Sequence, residues 1–342
     1  SQNVSGVVTG LFYENGGRNV TILGGHFTAS ASNGSIANNL VFINGSNSDI
    51  VTGVGSSLSN ESTILAMAIR EDTLYAGGSI SGTINGGDVT GLVSFNLVTA
   101  SFGIQPPSLS GGNVNAISIR PESGDVYAAG SFSSAGSLDC PAVCVFISTA
   151  SQWDRPGSNL AGTANAMTWA SSTSLIAGGA LTVDGGNTSL ATYDTKSQSW
   201  TTGVGASAIP GPVTALTAAN SDASQLWVAG TATNGSTFLM KFDGATWNSV
   251  GDTLGSGTKI HGLQVLPLTE EHDSTDLISA SQALMITGSL NLPGFGNASA
   301  VLFNGTTFQP FALTSSSSNT GGSLSQIFSQ RQNFFNTPGK SI

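Results

Sequence analysis

Asp125-Val126-Tyr127-Ala128-Ala129-Gly130-Ser131-Phe132 is the stretch of this sequence that decides the fold. It is a short apolar strand that ends in a small residue followed by glycine. Six such small–Gly steps occur, with their second glycines 53, 52, 49, 51 and 58 residues apart: Gly24-Gly25, Gly77-Gly78, Ala129-Gly130, Gly178-Gly179, Ala229-Gly230 and Thr287-Gly288. A regular period of this length predicts an array of one supersecondary repeat, whose copies bury their apolar faces against their neighbours.

Each repeat has the pattern of four short strands. In the third repeat, residues 114–119 alternate between apolar and polar, residues 121–124 turn, and the quoted stretch forms the second strand. Residues 142–147 then form a third strand with an aromatic residue, and Trp153 anchors a short fourth strand. Alternation with period two, bounded by Gly, Pro, Ser and Asp, is typical of antiparallel strands. A repeated four-stranded meander predicts an all-β fold, the β-propeller.

We predict one domain over residues 1–313 with six blades, and a tail over residues 314–342. The alternative is seven blades with the last incomplete, because residues 321–328 resemble a seventh first strand, and we expect an orphan β-strand at 323–330. The six repeats cover about 4–53, 64–104, 113–155, 163–203, 212–250 and 259–313.

Charged residues make up 8% of the 342 residues, and the formal net charge is −10. Proteins that bind nucleic acid present a basic surface to the phosphates, and no basic cluster is present in this chain. We therefore expect no nucleic acid among the partners.

Nine Asn-x-Ser/Thr acceptor sites favour passage through the secretory pathway, although a chain rich in Asn and Ser forms some of them by chance. The nine candidate asparagines are Asn3, Asn19, Asn33, Asn44, Asn60, Asn187, Asn234, Asn297 and Asn304.

The two cysteines lie in Cys140-Pro141-Ala142-Val143-Cys144. We expect a local disulfide if Pro141 turns the chain, because extended positions four residues apart are too distant to bridge. Unreactive free thiols are the alternative. Two thiols alone cannot complete a zinc site.

No run of 18 apolar residues occurs, so no membrane contact is expected within this segment. The chain begins at Ser1 without an apolar leader. We expect a mature or excised piece whose signal and anchoring segments lie outside it.

No catalytic constellation is evident in the sequence. The three histidines, His26, His261 and His272, have no thiol and no third histidine near them in the pattern, so neither a metal nor another cofactor is expected. Carboxylates fall mostly in turns, where Asp is favoured for local reasons, and no Gly-x-Ser-x-Gly motif is present. We predict that the protein is not an enzyme.

The sixth repeat contains an insertion, residues 267–281, between its first two strands. The insertion carries Glu270, Glu271, Asp273 and Asp276 and explains the spacing of 58 residues. An acidic loop is usually a solvated excursion, and the functional alternative is a patch that binds a partner or a cation.

Two resemblances to known families follow from particular residues. Gly178-Gly179, Tyr193-Asp194 and Trp200 resemble the kelch repeat, which implies kelch-like blades, as in galactose oxidase. The stretches Gly24-Gly25-His26-Phe27-Thr28 and Phe242-Asp243-Gly244-Ala245-Thr246-Trp247, among the acceptor sites, resemble the ectodomain of the fungal "revert to axial" bud-site selection proteins. That resemblance covers nearly the whole chain and implies a cortical marker of cell polarity, with an extracellular repeat region on a single membrane span.

Three functions remain open. The leading prediction is a non-catalytic, glycosylated propeller on the extracellular face of the fungal plasma membrane, which acts as a scaffold for other cell-surface or membrane polarity proteins. The second is a lectin-like propeller that binds wall polysaccharide through exposed aromatic residues. The third is a propeller hydrolase or oxidase, which would require acids or histidines to converge at the axis.

Overall fold

The computed structural model describes residues 6–15, 17–30, 34, 36–45, 50–51, 57–250, 254–314 and 323–327. These residues divide into two compact units, one up to Ala164 and the other from Asn165 onward. Each predicted repeat forms one antiparallel sheet, which we call a blade, and its strands lie in chain order from the first to the last.

The first unit holds blades one to three and a small additional three-stranded sheet. Blade one consists of β1 (Gly6–Asn15), β2 (Arg18–Ser30), β3 (Ile36–Asn44) and β4 (Ile50–Val51). Blade two consists of β5 (Thr63–Arg70), β6 (Thr73–Ile84) and β7 (Gly87–Asn96). The additional sheet consists of β8 (Leu109–Ser110), β11 (Ser134–Ala135) and β12 (Leu138–Asp139). Blade three consists of β9 (Val114–Ile119), β10 (Val126–Gly130), β13 (Val143–Ile147) and β14 (Gln152–Asp154).

The second unit holds blades four to six, and the first strand of blade four begins just before the boundary. Blade four consists of β15 (Leu160–Ser171), β16 (Ser174–Val183), β17 (Gly186–Asp194) and β18 (Ser199–Thr202), followed by a 3₁₀ turn at Ala206–Ala208. Blade five consists of β19 (Val213–Ala218), β20 (Leu226–Thr231), β21 (Thr237–Phe242) and β22 (Trp247–Ser249). Blade six consists of β23 (Lys259–Pro267), β24 (Gln282–Leu292), β25 (Gly296–Phe303) and β26 (Phe308–Leu313).

Blade two differs from the predicted four strands. Its fourth strand is reduced to one bridge between Asn96 and Ser101. Beyond it, the side-chain amide of Gln105 accepts from Ser94 N and donates to Ser94 O, both at 2.9 Å. The side chain of Gln105 therefore pairs with the backbone N–H and C=O at the edge of β7. In the other blades a fourth strand pairs with these groups.

The second glycine of the small–Gly step is required by packing within its own blade. A Cβ added at Gly78 would collide with the carbonyl oxygen of Thr63 on the first strand, and one at Gly130 would collide with the carbonyl oxygen of Asn113. Backbone cannot move away as a flexible side chain can, so a Cβ is excluded at this position.

The first residue of the step faces the neighbouring blade. A Cβ at Gly24 would lie 2.6 Å from Ile64 Cγ2 in blade two, and one at Gly77 would lie 2.6 Å from Val114 Cγ1 in blade three. The two glycines thus have separate functions, one in pairing within the blade and one in packing between blades.

Aromatic residues form most of the remaining core. The aromatic residue of the third strand packs across the sheet on the anchor residue of the fourth, as Tyr193 does on Trp200 with ring centroids 5.1 Å apart. Rings also meet between neighbouring blades within a unit, as Phe42 and Phe95 do at 4.8 Å. Such large buried rings supply much of the burial that stabilises a chain of few charges.

The structure joins Cys140 and Cys144 in a disulfide, with Cα atoms 5.9 Å apart and both residues fully buried. The turn between them includes Ala142, whose φ is +68°, and a bond from Val143 N to Pro141 O. This turn brings the two cysteines within bridging distance.

Residues 323–327, the described part of the predicted orphan strand at 323–330, carry no regular secondary structure, so the prediction of a strand is wrong for them. They are held by side-chain contacts to blade six and not by a backbone ladder. Residues 328–330 lie outside the described residues. Among the described residues, no helix is long and apolar enough to cross a membrane.

Candidate functional site

The loop of residues 268–281, which we call the acidic loop, connects β23 to β24. Backbone hydrogen bonds close it at its base and across its middle. Leu268 N donates to Ser281 O at 2.7 Å, and His272 N donates to Ala280 O at 3.0 Å. The inserted residues therefore form a folded excursion of blade six, closed by its own backbone hydrogen bonds.

Lys241 on β21 anchors the tip of the acidic loop through its buried ammonium group. It is 5% exposed, and its Nζ donates to Leu277 O at 2.5 Å and to Asp276 O at 3.3 Å. The same Nζ lies 5.9 Å from the centroid of the Trp227 ring, a favourable cation–π geometry. Burial lowers the pKa of Lys241, while the carboxylates of Asp243 and Asp276 act in the opposite direction. The loop carbonyls thus compensate a charge that has little access to water.

An apolar contact adds to this anchor. Ile278 is 6% exposed and belongs to the buried cluster that includes Trp227, Leu284 and Phe303. Thr275 organises the adjacent turn, because its Oγ1 accepts from Leu277 N at 3.2 Å and from Ile278 N at 3.1 Å. The loop therefore inserts one side chain into the core of the second unit.

His272 joins the two sides of the loop. Its Nδ1 lies 2.7 Å from Asp273 O, and its Nε2 lies 2.6 Å from Gln282 O. Carbonyl oxygens only accept, so both ring nitrogens donate only when the imidazole is protonated. The carbonyls of Gln282 and then Asp273 raise the pKa of His272.

The four predicted acidic residues of the loop all point to solvent. Glu270, Glu271, Asp273 and Asp276 are exposed. Within the described part of the chain, none of them takes part in a salt bridge. The result is an anchored loop that presents four carboxylates to solvent.

The glycosylation candidate Asn304 lies next to this loop. A Cβ on its neighbour Gly305 would collide with Thr275 Oγ1, which shows how closely the turn between β25 and β26 packs on the loop. Asn304 itself is half-buried, and its Oδ1 accepts from Thr306 N at 3.0 Å and from Thr307 N at 2.8 Å.

The other glycosylation candidates do not converge on one place. Asn3 and Asn33 lie outside the described residues, and Asn44 is half-buried at the end of β3. The remaining five are exposed at strand connections or strand ends: Asn19, Asn60, Asn187, Asn234 and Asn297.

The histidines are separate from one another in their contacts. His26 Nδ1 lies 3.0 Å from Ser62 O, and His261 Nδ1 lies 3.1 Å from Ser323 Oγ. Among the described residues, no group of three or more His, Cys, Asp or Glu residues is arranged to hold a metal ion.

Sequence reasoning missed Lys241 and Trp227, although they position the loop. The signal was present in Met240-Lys241-Phe242, where a lysine interrupts an apolar third strand. A lysine at such a position must find acceptors within the core, and here the inserted loop supplies them.

Comparison with known proteins agrees with the fold and places the chain in a family. The family model described as the Rax2 C-terminal beta propeller domain matches residues 92–338. "Polarized growth protein L1" of a Phoma species is 41% identical over 342 residues, which cover 97% of this chain and 26% of that protein. "Polarized growth protein RAX2" of Candida albicans is 26% identical over 335 residues, which cover 92% of this chain and 24% of that protein.

The chain thus spans about a quarter of the length of these curated relatives. Among solved structures, a chain from the crystal structure of the mitotic checkpoint complex aligns with a TM-score of 0.52 and 10% identity, covering 90% of this chain and 75% of that chain. This similarity concerns the fold alone. The predicted β-propeller and the predicted resemblance to the fungal polarity proteins are both confirmed. The chain belongs to the family of the Rax2 C-terminal β-propeller domain.

Proposed function

We propose that this chain is the non-catalytic, extracellular propeller of a fungal polarised-growth protein, and that it acts as a scaffold whose acidic loop binds another cell-surface or membrane polarity protein. The observation that carries the proposal is the loop itself. It is folded, anchored by Lys241 and Ile278, and it exposes four carboxylates without a salt bridge among the described residues. A pre-organised loop loses less conformational entropy on binding than a mobile one.

The names of the two relatives support the polarity role, since both are called polarized growth proteins. The nine acceptor sites support an extracellular location. Four exposed carboxylates favour a partner with a basic surface, because charge complementarity raises the rate and the specificity of association.

The wall-polysaccharide alternative has less support in the structure. Trp200 and Trp227 are buried, at 1% exposure each. Trp153 and Trp247 are half-buried, and their Nε1 atoms donate to Pro107 O at 2.7 Å and to Val204 O at 2.9 Å. These indoles contribute to packing, whereas a sugar platform requires an exposed ring face.

The proposal is tested with a loop variant and a matched control in the full-length protein, expressed in the fungus. The loop variant carries Glu270→Gln, Glu271→Gln, Asp273→Asn and Asp276→Asn. The control removes the same charge at exposed positions elsewhere and carries Glu14→Gln, Glu61→Gln, Asp88→Asn and Glu122→Gln.

Both variants are compared for thermal unfolding, for polarised localisation and for quantitative crosslinking to surface proteins. We expect the loop variant to fold normally and to lose most of its crosslinked partners and its polarised localisation, while the control keeps both. Equal behaviour of the two variants would reject the acidic loop as the contact surface.

The location is tested separately by enzymatic deglycosylation of protein isolated from the fungus. We expect the mass to fall by several N-linked glycans. An unchanged mass would contradict the extracellular location while leaving the test of the loop intact.

A further inference from the structure

The strand connections of blades four to six lie at two opposite ends of their sheets. In a four-stranded antiparallel sheet, the second and third strands connect at the end where the first strand begins, and the other two connections lie at the opposite end. We call these the entry end and the far end. Blades five and six contact each other at both. Thr237 Oγ1, at the start of β21, donates to Thr258 O just before β23, and Lys241, near the end of β21, binds the loop that follows β23. The two blades therefore have the same orientation.

Blade four has this orientation too, because the first strands of neighbouring blades make the same contact. Asn165 Nδ2 donates to Val213 O at 2.9 Å, and Thr214 Oγ1 donates to Ile260 O at 3.4 Å. Val213 and Ile260 are equivalent, since each pairs with the second glycine of the small–Gly step in its own blade. The entry ends of the three blades therefore lie on one side of the second unit.

The acceptor asparagines of these blades are concentrated at the entry end. From Asn165 onward the sequence has four Asn-x-Ser/Thr sites. Three of them, one in each blade, lie in or directly after the connection between the second and third strands: Asn187, Asn234 and Asn297. All three are exposed. The fourth, Asn304, lies between β25 and β26 at the far end and is half-buried.

The space around two matched acceptor sites differs in the same sense. A glycine follows the asparagine both at Asn234 and at Asn304. A Cβ added at Gly235 would meet no atom within 4 Å, whereas one added at Gly305 would collide with Thr275 Oγ1 of the acidic loop. A bulky sugar chain therefore has room beside Asn234, and beside Asn304 it would compete with the acidic loop for space.

The charged side chains show the opposite distribution. Among the described residues of blades four to six, seven exposed carboxylates lie at the far end, with Lys196 as the exposed cation beside them: Asp194, Asp222, Asp243, Glu270, Glu271, Asp273 and Asp276. The described charges at the entry end are Asp184 and Lys259, which have opposite signs. Ionised groups thus hydrate the far end but hardly the entry end, where attached sugars would supply the solubilising groups.

We propose that Asn187, Asn234 and Asn297 carry N-linked glycans, which cover the entry end of blades four to six, while the far end with its acidic loop stays free of them. This rests on the extracellular location proposed above, since such glycans are added in the secretory pathway. In each transfer, Nδ2 bonds to C1 of an oligosaccharide carried on a lipid diphosphate, and its proton passes to solvent. The bond from C1 to the diphosphate oxygen breaks, and the lipid diphosphate leaves with the electron pair.

The occupancy of each site in full-length protein isolated from the fungus tests this distribution. Enzymatic deglycosylation in water that carries heavy oxygen converts each glycosylated asparagine into a labelled aspartate, which mass spectrometry of peptides quantifies. A sample incubated without the enzyme controls for spontaneous deamidation of the Asn-Gly sequences. We expect the label in most molecules at Asn187, Asn234 and Asn297, and in few at Asn304.

Equal labelling of Asn304 and Asn234 would reject the one-sided distribution. Labelled sites elsewhere in the chain with none at the three entry-end asparagines would also reject it. Both results would leave the extracellular location intact. A complete absence of label would contradict that location and this proposal together.

Phe295 reports whether the sugar covers the surface. Its side chain is 59% exposed in the turn before Asn297, and Phe311 on β26, which is 60% exposed, is the matched control. We expect hydroxyl-radical oxidation of Phe295 to be faster in Asn297→Gln than in the unsubstituted protein, and to equal the rate after enzymatic deglycosylation. Phe311 should react equally in all three samples. An unchanged rate at Phe295 would overturn the covering of the entry end.

Discussion

Replacing Lys241 with methionine should release the tip of the acidic loop without unfolding blade five. Methionine keeps the apolar contact with Trp227 and removes the donor to Leu277 O and Asp276 O. A hydrogen bond from a charged donor contributes about 1.5–3 kcal/mol. Of the two bonds, the one at 3.3 Å is long, and removing a buried charge recovers some desolvation energy.

The closed state of the loop should therefore become about 2 kcal/mol less stable relative to its open state. This corresponds to about a thirtyfold increase in the population of the open state. Hydrogen–deuterium exchange measures this directly at the amide of His272, which donates to Ala280 O. We expect exchange in residues 268–281 to accelerate by about that factor, while the strands of blade five keep their protection.

Lys196→Met is the matched control, because Lys196 is exposed in the turn between β17 and β18. It should leave both the loop and the blades unchanged. The reasoning would be refuted if the loop exchanged at the same rate in Lys241→Met and in the control. It would also be refuted if exchange rose throughout the second unit, since Lys241 would then stabilise the core and not the loop.

Three further predictions concern the His272 contacts in the acidic loop, the small–Gly step and the disulfide. The carbonyl partners of His272 raise its pKa, so its two hydrogen bonds across the loop should be complete below the ordinary value of 6.5 and be lost as the pH rises through the raised pKa. Hydrogen–deuterium exchange of the loop at several pH values measures this loss, and His272→Gln should abolish the pH dependence. Gly78→Ala should lower the free energy of unfolding by about 1–3 kcal/mol, since its Cβ meets the Thr63 carbonyl, whereas Gly103→Ala should change thermal unfolding little. Reduction of the Cys140–Cys144 disulfide should destabilise the protein by about 2 kcal/mol, the value for a short closed loop, seen as a lower melting temperature in reductant that is absent in Cys140→Ser/Cys144→Ser.

The blades could be predicted because their determinants are local and repeated. The alternation around Val126 and the small–Gly step at Gly130 recur at a nearly constant spacing, and each repeat forms its own sheet. Blade two departs from the prediction because the side chain of Gln105, and not a fourth strand, hydrogen-bonds the edge of β7. A single side chain in place of a strand leaves no periodic pattern in the sequence.

The acidic loop could be located from the sequence, but its anchor could not. Glu270 and its neighbours stand out because they interrupt the period. Lys241 and Leu277 are 36 residues apart, and only the pairing of β23 with β24 beside β21 brings the ammonium group to the loop carbonyls. Contacts of this kind depend on the position of whole strands, which residue spacing does not encode.

By itself, the sequence determined the all-β class and the six repeats, because strand alternation and glycine spacing act within one blade. The tertiary structure decided what the two positions of the small–Gly step exclude, since the second faces its own blade and the first faces the next blade. It also decided the position of residues 323–327 on blade six, through His261 and Thr287. Such contacts arise only when complete sheets pack side by side, and so they are a property of the assembled blades and not of any single repeat.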